Sequence, residues 1–203
     1  MCGRFFIAED DPEIVSMLKE IEAENRRRSL SWPPIKTGEV FPKDYSAAKV
    51  SQTSGVPRYQ QMRWGFTGYD QKSLLINARA ETVLQKATFR GPALKSRCLL
   101  PASYYFEWKK DETTNRKIKH IMRDSRSSVL YMAGLYRMEA DDPVPRYVIL
   151  TRQASKEVSP IHHRMPVILD GKEQEAWLQD GADIPDIIHH AIDRITALED
   201  CLD

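Results

Sequence analysis

Between Val50 and Leu169 the chain alternates short runs of β-branched and aromatic residues with turn residues, and this rhythm limits the fold more than any other feature. Residues 60–66, 74–76, 97–100, 104–109, 117–123, 129–136, 147–151 and 165–169 each read as strands, and residues 111–115 form a polar turn among them. Residues 2–7 add a strand at the start. Asp10-Asp11-Pro12-Glu13 opens a helix with an Asp cap and a proline in the first turn. Ile14, Val15, Leu18 and Ile21 continue it at helical spacing to about Glu24. Trp32-Pro33-Pro34 and Phe41-Pro42 punctuate an extended loop in which prolines leave no room for a regular element. A short helix is predicted to begin within 77–82, and two more close the chain, over 173–179 and from Asp186 to about Leu198. Short strands with helices at both ends predict the α+β class: one domain over residues 1–203, with a mainly antiparallel sheet curling toward an open barrel and flanked by helices.

A chain of 203 residues is long enough to bury a sizeable core as a single domain. No apolar run approaches the ~18 residues of a membrane helix, and the first residues lack a signal-peptide core, so the expected location is the cytoplasm or nucleoid, with no membrane partner. Cys2, Cys98 and Cys201 are odd in number and far apart, which argues against a disulfide framework. Without a Cys-x-x-Cys pair, and with His189-His190 in an amphipathic helix, no metal site is expected. Without a phosphate-cradling glycine loop, no nucleotide cofactor is expected either. The net charge of +1 conceals a split: residues 170–203 carry ten acidic and two basic side chains, whereas residues 1–169 carry 28 basic and 19 acidic. Arginine outnumbers lysine 16 to 12 in that basic body, a balance that permits phosphate contacts without requiring them.

The chemistry centres on Met1-Cys2-Gly3-Arg4-Phe5. Methionine aminopeptidase removes an initiator Met ahead of a small residue, and Cys2 is small. Its α-amine would then titrate at about 7.7–8.0, leaving part of it free as a nucleophile at neutral pH. A thiol beside that amine is available as thiolate in proportion to nearby positive charge, and Arg4 is close in sequence. An amine attacks an aldehyde to give a Schiff base, and an adjacent thiolate closes it into a thiazolidine. Elsewhere, Asn77 ends an apolar run, Glu107 lies in Tyr104-Tyr105-Phe106-Glu107-Trp108, and His162-His163 precede Arg164-Met165-Pro166. Apolar surroundings raise a carboxyl toward neutrality, as a proton shuttle requires. Singly, each of these has an ordinary structural reading, since Glu107 on a strand can simply face water.

Together they form a set. Met-Cys-Gly-Arg-Phe, Arg63-Trp64-Gly65, Asn77-Ala78-Arg79-Ala80-Glu81-Thr82 and Phe89-Arg90 come in order. Arg97-Cys98-Leu99-Leu100-Pro101-Ala102 then runs into Tyr105-Phe106-Glu107-Trp108. Ala133-Gly134-Leu135-Tyr136, Leu150-Thr151 and His162-His163-Arg164-Met165-Pro166 complete it. From Cys2 to about Leu178 the chain resembles the SRAP family, the SOS-response-associated peptidases understood as abasic-site processing proteins. The resemblance implies a monomeric SRAP domain that crosslinks itself to abasic sites in single-stranded DNA, with an associated lyase activity and no cofactor. It implies Cys2 as nucleophile through amine and sulfur, Asn77 as the residue that holds Cys2 and its adduct, Glu107 as proton shuttle, and His162 as the group that favours opening of the sugar ring. Arg4, Arg79 and Arg164 would contact phosphates, with Trp64 also part of the DNA-binding set.

One departure bears on substrate geometry. The family continues after Trp-Gly-Leu with Ile-Pro-x-Trp, a loop that wedges against the base stack. Here Trp64-Gly65-Phe66 is followed by Thr67-Gly68-Tyr69-Asp70, which leaves two alternatives: Phe66 or Tyr69 stacks in its place, or the loop is shortened and the preference for a DNA junction weakened. Two other classes compete with the crosslinking reading. A cysteine peptidase would use Cys2 with His162 and Asn77. A non-enzymatic reader of DNA or modified bases would use the basic body and the aromatics.

Overall fold

In the computed structural model, which describes residues 2–51 and 56–200, one long strand organises the sheet. This is Asp142–Gln153, whose central residues Val144–Thr151 include the apolar run Tyr147–Leu150 and are buried without alternation, as in a strand covered on both faces. Numbered in chain order, the elements are β1 (Phe5–Ile7), α1 (Pro12–Arg27), β2 (Gly38–Val40), β3 (Tyr45–Val50), β4 (Arg58–Trp64), β5 (Phe66–Thr67), β6 (Leu74–Leu75) and β7 (Asn77–Arg79). A single 3-10 turn (Ala80–Thr82), α2 (Ala87–Lys95), β8 (Arg97–Ala102), β9 (Tyr104–Lys110), β10 (Lys117–Asp124), β11 (Leu130–Glu139) and β12 (Asp142–Gln153) follow. The chain continues through β13 (Arg164–Pro166), β14 (Ile168–Leu169), α3 (Gly171–Leu178), α4 (Ile184–His189) and β15 (Ile195–Glu199).

β12 pairs with β4, β7, β11 and β13, and the circuit β12-β4-β3-β8-β11 returns to β12. The curled, mainly antiparallel sheet expected of an α+β chain is thus present, and its curling goes to closure. A second sheet, ordered β15-β10-β9-β1-β2, carries the amino-terminal strand at its interior. Gly65 makes the sharp exit from β4 at φ +108°, where a Cβ would sit 2.6 Å from the Leu74 side chain. Arg-Trp-Gly therefore requires glycine on both conformational and steric grounds.

Three regions differ from the sequence reading. The segment from Asp186 to about Leu198 is not one helix: α4 ends at His189, and Ile195–Glu199 instead pairs antiparallel with His120–Asp124. Ile187, Ile188, Ala191, Ile192 and Ile195 fit helical spacing, but β10 otherwise has an open edge. Arg194 is also held by Asp124 at 2.9 Å and by Asp170 at 2.5 Å. The proline-punctuated loop contains β2 and β3, because Pro33, Pro34 and Pro42 flank these strands without interrupting them. Residues 77–82 open as a strand, the short helix expected there begins as a 3-10 turn at Ala80, and a further helix, α2, runs through Gly91-Pro92.

What holds α2 despite its proline is Arg97. Its buried guanidinium donates to the carbonyls of Ala93 and Leu94 at the end of α2, and to those of Trp177 and Gln179 at the end of α3, at 2.5–2.7 Å. Positive charge at two helix C-termini is favourable, and removing it would strand buried acceptors. Arg97→Ala is expected to cost about 3 kcal/mol. In a chain of this size that lowers Tm by roughly 6–12 °C. A thermal melt unchanged within a degree would contradict this account.

Candidate active site

The site is built where the two sheets meet at the start of the chain. Cys2 precedes β1 and is fully buried. β1 lies between β2 and β9, with Phe5 opposite Val40 on one side and Tyr105 on the other. Asn77, at the start of β7 in the closed sheet, donates from Nδ2 to the Cys2 carbonyl at 2.9 Å. Its Oδ1 is buried with no hydrogen-bond partner among the described residues. One asparagine thereby fixes the terminal strand to the barrel and keeps an acceptor unspent beside it. Met1 lies outside the described residues.

Glu107 is on β9, where alternation puts it on the same face as Tyr105 and opposite to Phe106 and Trp108. It is 3% exposed, and burial pushes its carboxyl up to about 7. Burial, reinforced by the negative charge of Glu107, in turn pushes the Cys2 thiol far above its ordinary value. The sulfur has only a weak interaction with the Arg4 carbonyl, at 3.9 Å. Cys2 is therefore kept as a thiol, with a carboxyl tuned to exchange protons near neutrality as its neighbour.

His162 is partly buried, with its ring stacked on the exposed His163 at 4.5 Å. The Arg164 amide lies 3.0 Å from Nδ1 and the Arg164 carbonyl 3.2 Å from it. An amide can only donate, so Nδ1 accepts and the proton sits on Nε2. Burial lowers the pKa of His162, favouring this neutral form.

The expected DNA-contacting residues separate into three situations. Arg79 is exposed at the end of β7. Arg4 lies over Phe41 at 4.4 Å and Trp108 at 5.0 Å and bonds Glu39 at 3.1 Å. Arg164 is 9% exposed and is engaged by Glu81 in a two-pronged pair at 2.6 and 2.9 Å, and by the Thr151 carbonyl at 2.6 Å. A phosphate would have to compete with Glu81 for it. Trp64 needs correcting: it is fully buried, its indole nitrogen donates to the Ile76 carbonyl at 3.0 Å, and it packs against Phe5 and Tyr147. In this arrangement it supports β1 from below and offers no surface to DNA.

The departing loop is a hairpin of β5 and β6. Glu139 grips its base, accepting from the Thr67 amide at 3.0 Å and hydroxyl at 2.5 Å. At the tip, one Asp70 oxygen accepts from the Lys72 and Ser73 amides and from the Ser73 hydroxyl. Phe66 is buried beneath Arg137, while Tyr69 is fully exposed. Of the two rings considered for stacking, only Tyr69 is available. The group overlooked at the sequence level is Tyr105, although its two-residue spacing from Glu107 already put both on one face.

A cysteine at the second position, held by an asparagine beside a desolvated carboxyl, thus sits against a closed sheet, and the chain matches a known family over nearly its whole length. The model of the family "SOS response associated peptidase (SRAP)" matches residues 1–199, and the chain belongs to that family. Among similar proteins, the abasic site processing protein YoaM of Bacillus subtilis is 30% identical over 196 residues, covering 93% of this chain and 83% of that protein. The abasic site processing protein HMCES of Gallus gallus is 34% identical over 154 residues, covering 61% of this chain and 46% of that protein. A solved structure from Bacteroides thetaiotaomicron has the same fold, with a TM-score of 0.74 at 21% identity over 98% of this chain and 91% of that one.

Proposed function

We propose that this protein processes abasic sites in single-stranded DNA by crosslinking to them through Cys2. The observation that carries the reading is the juxtaposition of Cys2, held by Asn77, with a Glu107 carboxyl tuned to about 7. Relatives named as abasic site processing proteins support the same substrate.

Once Met1 is removed, the Cys2 amine adds to the aldehyde carbon of the ring-opened sugar. The carbinolamine loses water to give an imine. The thiol then adds across the C=N bond: sulfur bonds carbon, and the thiol proton ends on nitrogen. The high thiol pKa supports this order, because a protonated sulfur is a poor first nucleophile whereas the amine is partly free at neutral pH. Glu107 carries protons at each step, taking them from amine and thiol and returning one to the departing hydroxyl. Asn77 Oδ1 accepts from the amine, and His162 Nε2–H donates to the sugar ring oxygen to favour opening. Arg79 and Arg4 face phosphates, and Arg164 joins them when it exchanges Glu81 for one. The lyase branch diverges at the imine, where loss of a C2′ proton expels the 3′ phosphate by β-elimination. A cysteine peptidase requires a lowered thiol pKa, the opposite of what Cys2 shows.

The test uses protein whose loss of Met1 is verified by intact mass. It is mixed with single-stranded DNA bearing one abasic site, or none, and run on a denaturing gel. A heat-resistant shifted band with the abasic strand only is the expected result. Absence of both covalent product and strand cleavage refutes the proposal. At the hairpin, Tyr69→Ala is expected to leave the crosslinking rate on plain single strands unchanged and to weaken binding at single-strand/duplex junctions about 5- to 10-fold, the worth of one lost base–aromatic stack. Equal junction binding by both proteins would remove Tyr69 from the interface.

A further inference from the structure

The Tyr105 hydroxyl is the buried polar group of the site for which the steps above have no use. Tyr105 is fully buried, and its hydroxyl has no hydrogen-bond partner among the described residues. It stands directly across from Phe5, three residues after Cys2, and the next amide, that of Phe106, bonds the Arg4 carbonyl at 3.0 Å. It shares its strand face with Glu107. After burial, the negative charges of Cys2 and Glu107 raise its pKa further, and Arg152 lowers it. Burial holds the phenol well above its ordinary pKa, so it stays protonated and can donate.

An orphaned donor in a dry site costs stability unless some state of the protein uses it. A thiol is a weak acceptor and a thiolate a strong one. We infer that Tyr105 is a further catalytic residue, a hydrogen-bond donor kept for the Cys2 sulfur and engaged when that sulfur gives up its proton. Resting on the crosslinking mechanism, it acts in the ring-closing step. Glu107 takes the thiol proton, Tyr105 O–H stabilises the sulfur as charge appears, sulfur bonds the imine carbon, and the C=N electron pair takes the proton back from Glu107. The phenol keeps its own proton throughout. The amine step needs no such donor.

Tyr105→Phe removes only the hydroxyl and keeps the ring in the core. A hydrogen bond to a charged group changes the thiolate population about 10- to 100-fold, and part of this is offset because a more basic thiolate is also the better nucleophile. The expected net effect is a ring closure about 3- to 10-fold slower, with borohydride-trapped imine forming at the wild-type rate. A second arm needs no DNA: the rate of Cys2 alkylation by iodoacetamide at pH 8, read on the Cys2 peptide by mass spectrometry, is expected to fall by the same factor, with an unchanged thermal melt as control. If wild-type protein fails to crosslink, the function proposed above fails, while the alkylation ratio still reports on Tyr105. Equal alkylation of Cys2 in both proteins, including none in either, overturns the inference. So does slowing of imine formation and closure together, which would indicate a merely structural change.

Discussion

Cys2→Ala protein is expected to give no heat-stable adduct with abasic DNA while still nicking it slowly. Alanine leaves a small second residue, so Met1 is still removed and an α-amine remains to form the imine. What disappears is the ring closure. A thiol on the same residue as the imine acts as an intramolecular nucleophile, with an effective concentration that can reach about 10⁵ M or more. Without it, the imine reverts with water or passes to β-elimination. Protein with Met1 retained should also lose the heat-stable product, since its Cys2 nitrogen is an amide and cannot join the sulfur in a ring, while its Met1 amine can still form an imine. A heat-stable band of normal intensity from Cys2→Ala would place the crosslink on another residue.

Glu107→Gln is expected to slow crosslinking about 10²- to 10⁴-fold, the usual worth of a positioned proton-transfer group. The pH dependence gives the sharper reading. Below neutrality the wild-type rate depends on two deprotonated groups, Glu107 at about 7 and the α-amine. Its logarithm should therefore climb with a slope approaching about two per pH unit, and with about one in the variant. Stability moves the opposite way. A carboxyl raised by burial binds its proton more tightly when folded, so the stability it contributes is present below about pH 4.5 and lost as pH rises through about 7. That loss amounts to about 3 kcal/mol, and glutamine does not incur it. Denaturation at pH 8 should favour Glu107→Gln, with the advantage shrinking toward pH 4.5. Parallel stability curves for the two proteins would mean that Glu107 is not desolvated.

Much of the site was legible because its residues sit in places where strand chemistry alone gives them no reason to be. Asn77 after Leu-Leu-Ile and Glu107 among aromatics are such cases, and the structure joins both to Cys2, through a hydrogen bond and through charge. The strands of the long β region were legible because runs of β-branched and aromatic residues bounded by turn residues are a local property. What failed depends on partners distant in sequence. The isoleucines after Asp186 fit a helix until the free edge of β10 is considered. Trp64 reads as a DNA-facing aromatic until Phe5 and Tyr147 are packed against it. The commitment of Arg164 to Glu81, 83 positions away, leaves no mark on either local sequence.

The buried thiol has a chemical consequence beyond the crosslink. Peroxide attacks thiolates, and a cysteine kept protonated and covered presents almost none. In the proposed ring closure the sulfur is consumed in a single event, so a sulfur oxidised beforehand is lost to it. Under the crosslinking proposed above, the burial that holds the sulfur back until the imine has formed also keeps it reduced for that reaction.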